Sequence, residues 1–372
     1  MTRRVPRNSM LALLLAALMT GAAGMGGQVL AASDVHFSPL PFLNLANQMF
    51  GEETVLHTVE ALTGRAAQVS AGSDNRITVL MVGSDHRDGD RNGERTDTIL
   101  VMSINTKNKQ ISAASIPRDT AKVPIAPSLG GGTFQTKING MFKWFKKKSG
   151  GNRNVAMEKL RVEIEYLLAT PIDYVAWIRF DGFDALVDEA GGIQTSIPAE
   201  IRDPSYIDKP GWPVGARFVV ANSVTLGGAN AERCYGGYPK PVKDWSKVMA
   251  CHRALVYVRS RHGKVGTSGN NDFKRAARQQ SFIYDAIRDL RNSLATSQDV
   301  RVRANQISTN FYTTIPISTA SDGVALYNLA LGATMPYRVV FSPKTYSTKV
   351  NQHYELKVGV VRAWCDKYMG PA

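Results

Sequence analysis

Cysteine and histidine are scarce in this chain, three and six residues among 372. The cysteines match no zinc-ligand spacing and no paired histidines stand near them, which excludes the common structural zinc modules. One calcium pattern comes close: Asp88-Gly-Asp90-Arg-Asn92-Gly93 fits the opening positions of an EF-hand loop. It fails at the last position, where Ile99 stands in place of the bidentate glutamate. Internal repeats and a helix-turn-helix pattern are also missing, which removes solenoids and direct transcription control.

Apolar residues make up 44% of the chain, ample for a globular core, and the formal net charge of +14 calls for an anionic partner. Nucleic acid, a membrane surface and a phosphorylated glycan all qualify. The N-terminus narrows the choice. Arg3, Arg4 and Arg7 precede an apolar run at 10–19 and a Gly/Ala-rich stretch, the pattern of an export signal. Val29-Leu30-Ala31 and Leu30-Ala31-Ala32 offer cleavage sites, yet 10–32 is also long enough to span a bilayer. Residues 1–32 are therefore a signal peptide or a single-span membrane anchor, with retention as anchor preferred. Either way the body is expected outside the cytoplasm, against the nucleic-acid reading. In that compartment three cysteines permit one disulfide. Cys234 and Cys251 bracket a Gly/Pro/Lys-rich loop and are the expected pair, leaving Cys365.

Residues 33–75 mix short helix-compatible segments with Pro, Gly and Ser and read as a stalk, leaving 76–370 as the main domain. That domain is organised around 77–120. Residues 77–82 form a continuous apolar run ending at Gly83-Ser84-Asp85, the pattern of a strand buried on both faces. Residues 98–104 and 111–116 predict two more strands, the last closed by Pro117 and followed by Arg118. Open α/β sheets bind ligands beyond the carboxyl ends of their strands, where Asp85 and Arg118 fall. Asp85 and Asp97 are oxygen donors suited to a hard cation, although a solvated acidic loop fits the same residues.

Further along, 141–148 sets Phe142, Trp144 and Phe145 among lysines and reads as an amphipathic helix, with Lys137 just before it able to meet an anion. Helical spacing at 155–168, a strand at 174–180, a helix at 182–189 stopped by Gly191-Gly192 and a strand at 193–197 predict a layered α/β domain. Residues 255–261, LVYVRSR, read as a strand with Arg259 and Arg261 on one face. A Gly/Ser/Asn loop then leads to Asp272, an N-cap candidate, and a helix over 273–290 that carries Arg275, Arg278 and Gln279 on one face. Guanidinium forks, an amide and a helix amino end together suit a pyrophosphate.

Seven stretches occur in order: VLMVGSD (79–85), RTDTI (95–99), SIPRD (115–119), KIN (137–139), PIDYVAWIRFDGFDALVDEAGGI (171–193), VRSRH (258–262) and DFKRAARQQ (272–280). In these the chain resembles the LytR-CpsA-Psr family of cell-wall glycopolymer transferases. The resemblance implies a three-layer α/β/α sandwich with a central mixed β-sheet and an apolar pocket for a polyprenyl chain. It implies transfer of a glycopolymer from a polyprenyl pyrophosphate carrier onto peptidoglycan, using Mg2+ or Mn2+, outside the cytoplasm at the membrane surface or cell wall, with no nucleic-acid partner. Matched residue by residue, Asp85 and Asp97 are the metal-associated, catalytic carboxylates. Arg118 is the catalytic arginine, grouped around the pyrophosphate with Arg95, Lys137, Arg259, Arg261, Arg275 and Gln279. Two places depart from the pattern. Cys251-His252-Arg253-Ala254-Leu255 replaces a Gly-Glu-Gln-Ala-Leu-like turn, and His86 stands beside the GSD motif. A hydrolase of polyprenyl pyrophosphates and a non-catalytic sensor of wall precursors are the alternative readings.

Overall fold

The computed structural model describes residues 74–85, 94–189, 191–206, 215–230, 242, 244–291, 311–314 and 332–371. The signal or anchor at 1–32, almost all of the stalk, His86, Asp88, Asp90 and Cys234 lie outside the described residues. Among the described residues no helix is long and apolar enough to cross a membrane.

The predicted opening strands form: β1 (Arg76–Ser84), β2 (Thr96–Asn105) and β3 (Gln110–Ser115). Adjacent pairs are antiparallel, so β1 and β3 run the same way and end on the same edge, where β2 begins. Three more strands complete the sheet: β4 (Tyr174–Arg179) parallel to β1, β5 (Phe311–Thr313) antiparallel to β4, and β6 (Thr334–Val340) parallel to β3. The order β5-β4-β1-β2-β3-β6 makes a mixed sheet, with β5 and β6 at its edges.

Alternation along the strands feeds two cores. Leu80, Val82, Ile99 and Val101 face one side, where they meet α1 (Met141–Lys148), α2 (Arg153–Leu168) and, later in the chain, α6 (Val358–Met369). Ile77, Leu100 and Met102 face the other, against α3 (Phe180–Glu189), α4 (Ala254–Arg259) and α5 (Asp272–Arg291). This is the three-layer α/β/α sandwich. Tertiary burial, not propensity, holds the eight-residue α1, since isolated helices this short are marginal; Phe142 and Phe145 are 0% and 2% exposed while its lysines face outward. In α2, Asn152 caps the amino end by accepting from Val155 N at 3.1 Å, and Ala169 in the left-handed region ends it before Pro171. The strand Ile193–Ile197 forms as predicted but pairs with Ala221–Leu226, outside the central sheet.

One predicted strand is a helix. Residues 255–261 contribute the end of α4, and Ala254, Leu255, Val256, Tyr257 and Val258 are all buried, 0–7% exposed. A short, wholly buried apolar run carries no periodicity to separate strand from helix, and packing between α3 and α5 decides it. Arg259 and Arg261 therefore do not share a strand face. Arg259 is the last helical residue and Arg261 lies in the turn beyond.

Candidate functional site

The antiparallel pairing of β1, β2 and β3 brings Asp85, Asp97 and Arg118 to one edge of the sheet. At the end of β1, Gly83 is obligatory: a Cβ there would lie 2.9 Å from Thr98 Cβ, beside a bulge that re-aims the strand end. Asp85 then crosses to the start of the next strand. Its backbone N–H donates to Arg95 O at 3.1 Å, and its Oδ1 accepts from Arg95 N at 2.7 Å and Glu94 N at 3.2 Å. Burial, and next the charge of Asp97, push the Asp85 carboxyl above its ordinary range against those two amides and Arg95.

Asp97 is the hub. Its Oδ1 meets Arg118 Nη1 at 2.6 Å, with each side chain 13% exposed, and sits 3.5 Å from Asn139 Nδ2. Arg275 Nη2 donates to the Asp97 backbone carbonyl at 2.8 Å, joining the first turn of α5 to the sheet edge. The same guanidinium pairs with Asp272 at 2.7 Å and is 4% exposed; burial lowers its pKa despite Asp272 and Asp97. Arg261 is close enough that its charge acts on both Asp272 and Arg275. Lys137 pairs with Asp119 at 2.9 Å, and Asn139 N donates to Arg118 O at 3.3 Å, so the KIN stretch braces the loop after β3.

Of the residues singled out from sequence, Asp85, Asp97, Arg118, Arg261 and Arg275 meet here, with Lys137 at the rim and Arg95 exposed beside Asp85. Two have other described contacts. Arg259 lies 4.2 Å over the Phe180 ring and near Tyr206. Gln279 Nε2 donates to Val258 O at 3.0 Å, closing the carboxyl end of α4. Arg278 does the same for Tyr257 O at 3.2 Å and for Ser260 O, and its burial lowers its pKa to about 10. These α5 side chains satisfy carbonyls that a helix end leaves open, and the positive charge of Arg278 complements the negative end of the helix dipole. Asp272 is not the cap of α5: Asn271 Oδ1 accepts from Lys274 N at 3.0 Å, and the Asp272 carboxylate turns to Arg275 instead.

The sequence reading passed over Asp119, Asn139 and Asp272 as site members, although all three stand inside the quoted motifs. Asp203 carried no local signal. It is fully buried and accepts from Ser260 Oγ at 2.8 Å, Arg261 N at 3.2 Å and His262 N at 3.1 Å, fixing the turn that presents Arg261. Gly263 lets that turn lie on the strand Ile201–Asp203, because a Cβ there would sit 1.9 Å from Arg202 O at φ +73°.

Chemically, the cluster holds both donors and acceptors without aligned hydrogen bonds, Arg118 Nε standing 3.6 Å from Asp119 Oδ1. Arg118 Nε and Arg275 Nε are buried without a hydrogen-bond partner, and such donors cost free energy unless an oxyanion takes them. For a cation, no group of three or more His, Cys, Asp or Glu side chains is assembled among the described residues. Asp85 and Asp97 nevertheless form a pair of hard oxygen donors whose charges act on each other. That donor set fits Mg2+, which takes one or two carboxylates and completes its shell with water and substrate phosphates.

The protein is thus a mixed-sheet α/β/α domain that gathers guanidinium groups and carboxylates at its strand ends. The chain belongs to the LytR_cpsA_psr family, whose model matches residues 42–335. It is 28% identical over 241 residues to the polyisoprenyl-teichoic acid–peptidoglycan teichoic acid transferase TagV of Bacillus subtilis, covering 64% of this chain and 49% of that protein. To the cell wall biosynthesis protein LcpA of Corynebacterium glutamicum it is 23% identical, covering 83% of this chain and 58% of that protein. The chain thus spans about half the length of the curated relatives it matches. The fold is shared with the crystal structure of B. subtilis TagV, at TM-score 0.51 and 23% identity over 80% of this chain and 99% of that one. It is shared also with protein gbs0355 of Streptococcus agalactiae, at TM-score 0.54 and 19% identity over 81% and 90%.

Proposed function

We propose that this chain is an extracytoplasmic, Mg2+-dependent transferase that moves a glycopolymer from a polyprenyl pyrophosphate carrier onto peptidoglycan. The carrying observation is the Asp97–Arg118–Arg275 constellation, in which a mostly buried and a buried guanidinium group hold Nε atoms that make no hydrogen bond at the strand ends. The names of TagV and LcpA support the substrate class. Half-buried apolar side chains on the α3/α5 side of the sheet, Val79, Met81, Ile178, Phe183 and Ile283, support a prenyl path leading to the cluster.

In the reaction, an acceptor hydroxyl oxygen bonds to the glycan-bearing phosphorus, the bridging P–O bond breaks, polyprenyl phosphate leaves, and the hydroxyl proton passes to a carboxylate of the site. Charge grows on the leaving phosphate, and Arg118, Arg261 and Arg275 are the groups that would stabilise it. Asp85 and Asp97 would hold Mg2+, which when bound neutralises phosphate charge. Asp97 orients Arg118, and Asp203 orients Arg261 through its turn.

The membrane surface and an exported location follow from the basic, apolar N-terminus and remain part of the proposal. So does a Cys234–Cys251 bridge, supported by Cys365 being a free, buried thiol.

The test is a reaction of a defined lipid-linked oligosaccharide with glycan strands. Ligated product is expected, with Arg118→Ala and Asp97→Asn each lowering kcat about a hundredfold or more, as for loss of one preorganised stabilising group. Released phosphosugar without ligation would overturn transfer in favour of hydrolysis. Variants that attach wall polymer normally in cells would favour a sensor.

A further inference from the structure

Buried polar atoms without an aligned hydrogen bond crowd together in this molecule. Arg118 Nε, Asp119 Oδ1, Thr120 Oγ1, Asp272 Oδ1 and Arg275 Nε are all of this kind. The guanidinium nitrogens call for acceptors, as phosphate oxygens are. The two carboxylate oxygens call for donors: Asp119 Oδ1 touches Lys137 at 2.9 Å and Arg118 Nε at 3.6 Å, and Asp272 Oδ1 touches Arg275 at 2.7 Å, but neither accepts a well-directed hydrogen bond. Sugar hydroxyls are such donors.

A hairpin made of Ser347–Val350 and His353–Leu356 reaches the same place. It lies beyond the residues matched by the family model, 42–335. Its second strand docks on the loop after β3: Tyr354 bridges Thr120 in parallel, Tyr354 N donates to Asp119 O at 3.1 Å, and Ala121 N donates to Tyr354 O at 2.8 Å. Lys122 pairs with Glu355 at 2.7 Å. The half-buried Tyr354 ring meets Phe273, the neighbour of Asp272, edge-on with centroids 4.9 Å apart. Burial, and next the charges of Asp119 and Asp272, raise the pKa of its hydroxyl.

We propose that Tyr354, Asp119 and Asp272 form a subsite for a sugar ring of the acceptor glycan, so that the C-terminal hairpin sets which hydroxyl faces the pyrophosphate. The aromatic edge shapes the slot, the Tyr354 hydroxyl hydrogen-bonds a sugar oxygen, the carboxylates accept hydrogen bonds from sugar hydroxyls, and the adjacent arginines hold the donor phosphate. This rests on the transferase reading.

The experiment measures acceptor KM at saturating lipid-linked donor, and separately the Kd of polyprenyl pyrophosphate by calorimetry, for the full chain and its Tyr354→Phe and Tyr354→Ala variants. Tyr354→Phe keeps the ring on Phe273 and so keeps the fold. It is expected to raise acceptor KM about threefold to tenfold, the range for one lost neutral hydrogen bond, with donor Kd within about twofold of wild type. Tyr354→Ala is expected to raise acceptor KM further. Wild-type ligation with unchanged acceptor KM in both variants, or donor Kd weakened as much as acceptor KM, overturns this subsite alone. No ligation by the wild type overturns the transferase reading and this subsite with it.

Discussion

Glu163 is a buried carboxyl in the core beneath α2, and replacing it by glutamine has a calculable effect on stability. The residue is 0% exposed, its Oε2 accepts from Ala126 N at 2.9 Å, and its Oε1 has no partner. Burial pushes its pKa from 4.5 to about 7, against the Ala126 hydrogen bond that favours the anion. In the unfolded chain the carboxyl ionises near 4.5, so between there and about 7 the folded state holds one more proton than the unfolded state. Stability therefore falls as pH rises through this window, and the loss is complete above the folded pKa. At about 1.4 kcal/mol per unit, the total is about 3 kcal/mol, a large share of the 5–15 kcal/mol typical of a domain. Urea denaturation of wild type and Glu163→Gln from pH 4.5 to 8 reads it, and the difference between them cancels the other shifted carboxyls. The difference is expected to change by about 3 kcal/mol in favour of glutamine across the window. Parallel curves would refute the reasoning.

Arg278→Met, which keeps the stem but leaves the Tyr257 and Ser260 carbonyls of α4 uncapped, is expected to cost about 2–4 kcal/mol in denaturant and to lower kcat by loosening the turn that carries Arg261. Gly83→Ala, which puts a methyl 2.9 Å from Thr98 Cβ, is expected to cost about 1–3 kcal/mol by thermal melting. Burial raises the Cys365 thiol to about 12, so it should resist alkylation in the folded protein. In denaturant, one thiol is expected without reductant and three with it; three without reductant would remove the bridge.

Much of the site was legible because the chemistry sits at the ends of strands with unambiguous patterns. The runs at 77–82, 98–104 and 111–116 are buried on both faces, and once each pairs antiparallel with the next, Asp85, Asp97 and Arg118 must share an edge. What was not legible depended on packing between distant segments. LVYVRSR has the residues of a strand, but α3 and α5 enclose it on all sides and favour a helix. Gln279 looked like a ligand because it shares a helix face with Arg275, yet its amide donates to a carbonyl of α4 that sequence spacing cannot locate. Asp203 reaches Arg261 only because Ile201–Asp203 pairs with Lys264–Val265. Tyr354 reaches Asp119 only through a hairpin docked more than two hundred residues later in the chain.

In the proposed transferase the guanidinium groups of Arg118 and Arg275, drawn together by Asp97, receive the pyrophosphate. A crystal structure of the protein with a polyprenyl pyrophosphate would show this directly. Phosphate oxygens are expected within hydrogen-bonding distance of both Nε atoms, with the prenyl chain running along Val79 and Met81. Pyrophosphate bound elsewhere, with Arg118 and Arg275 still holding their present partners, would contradict it.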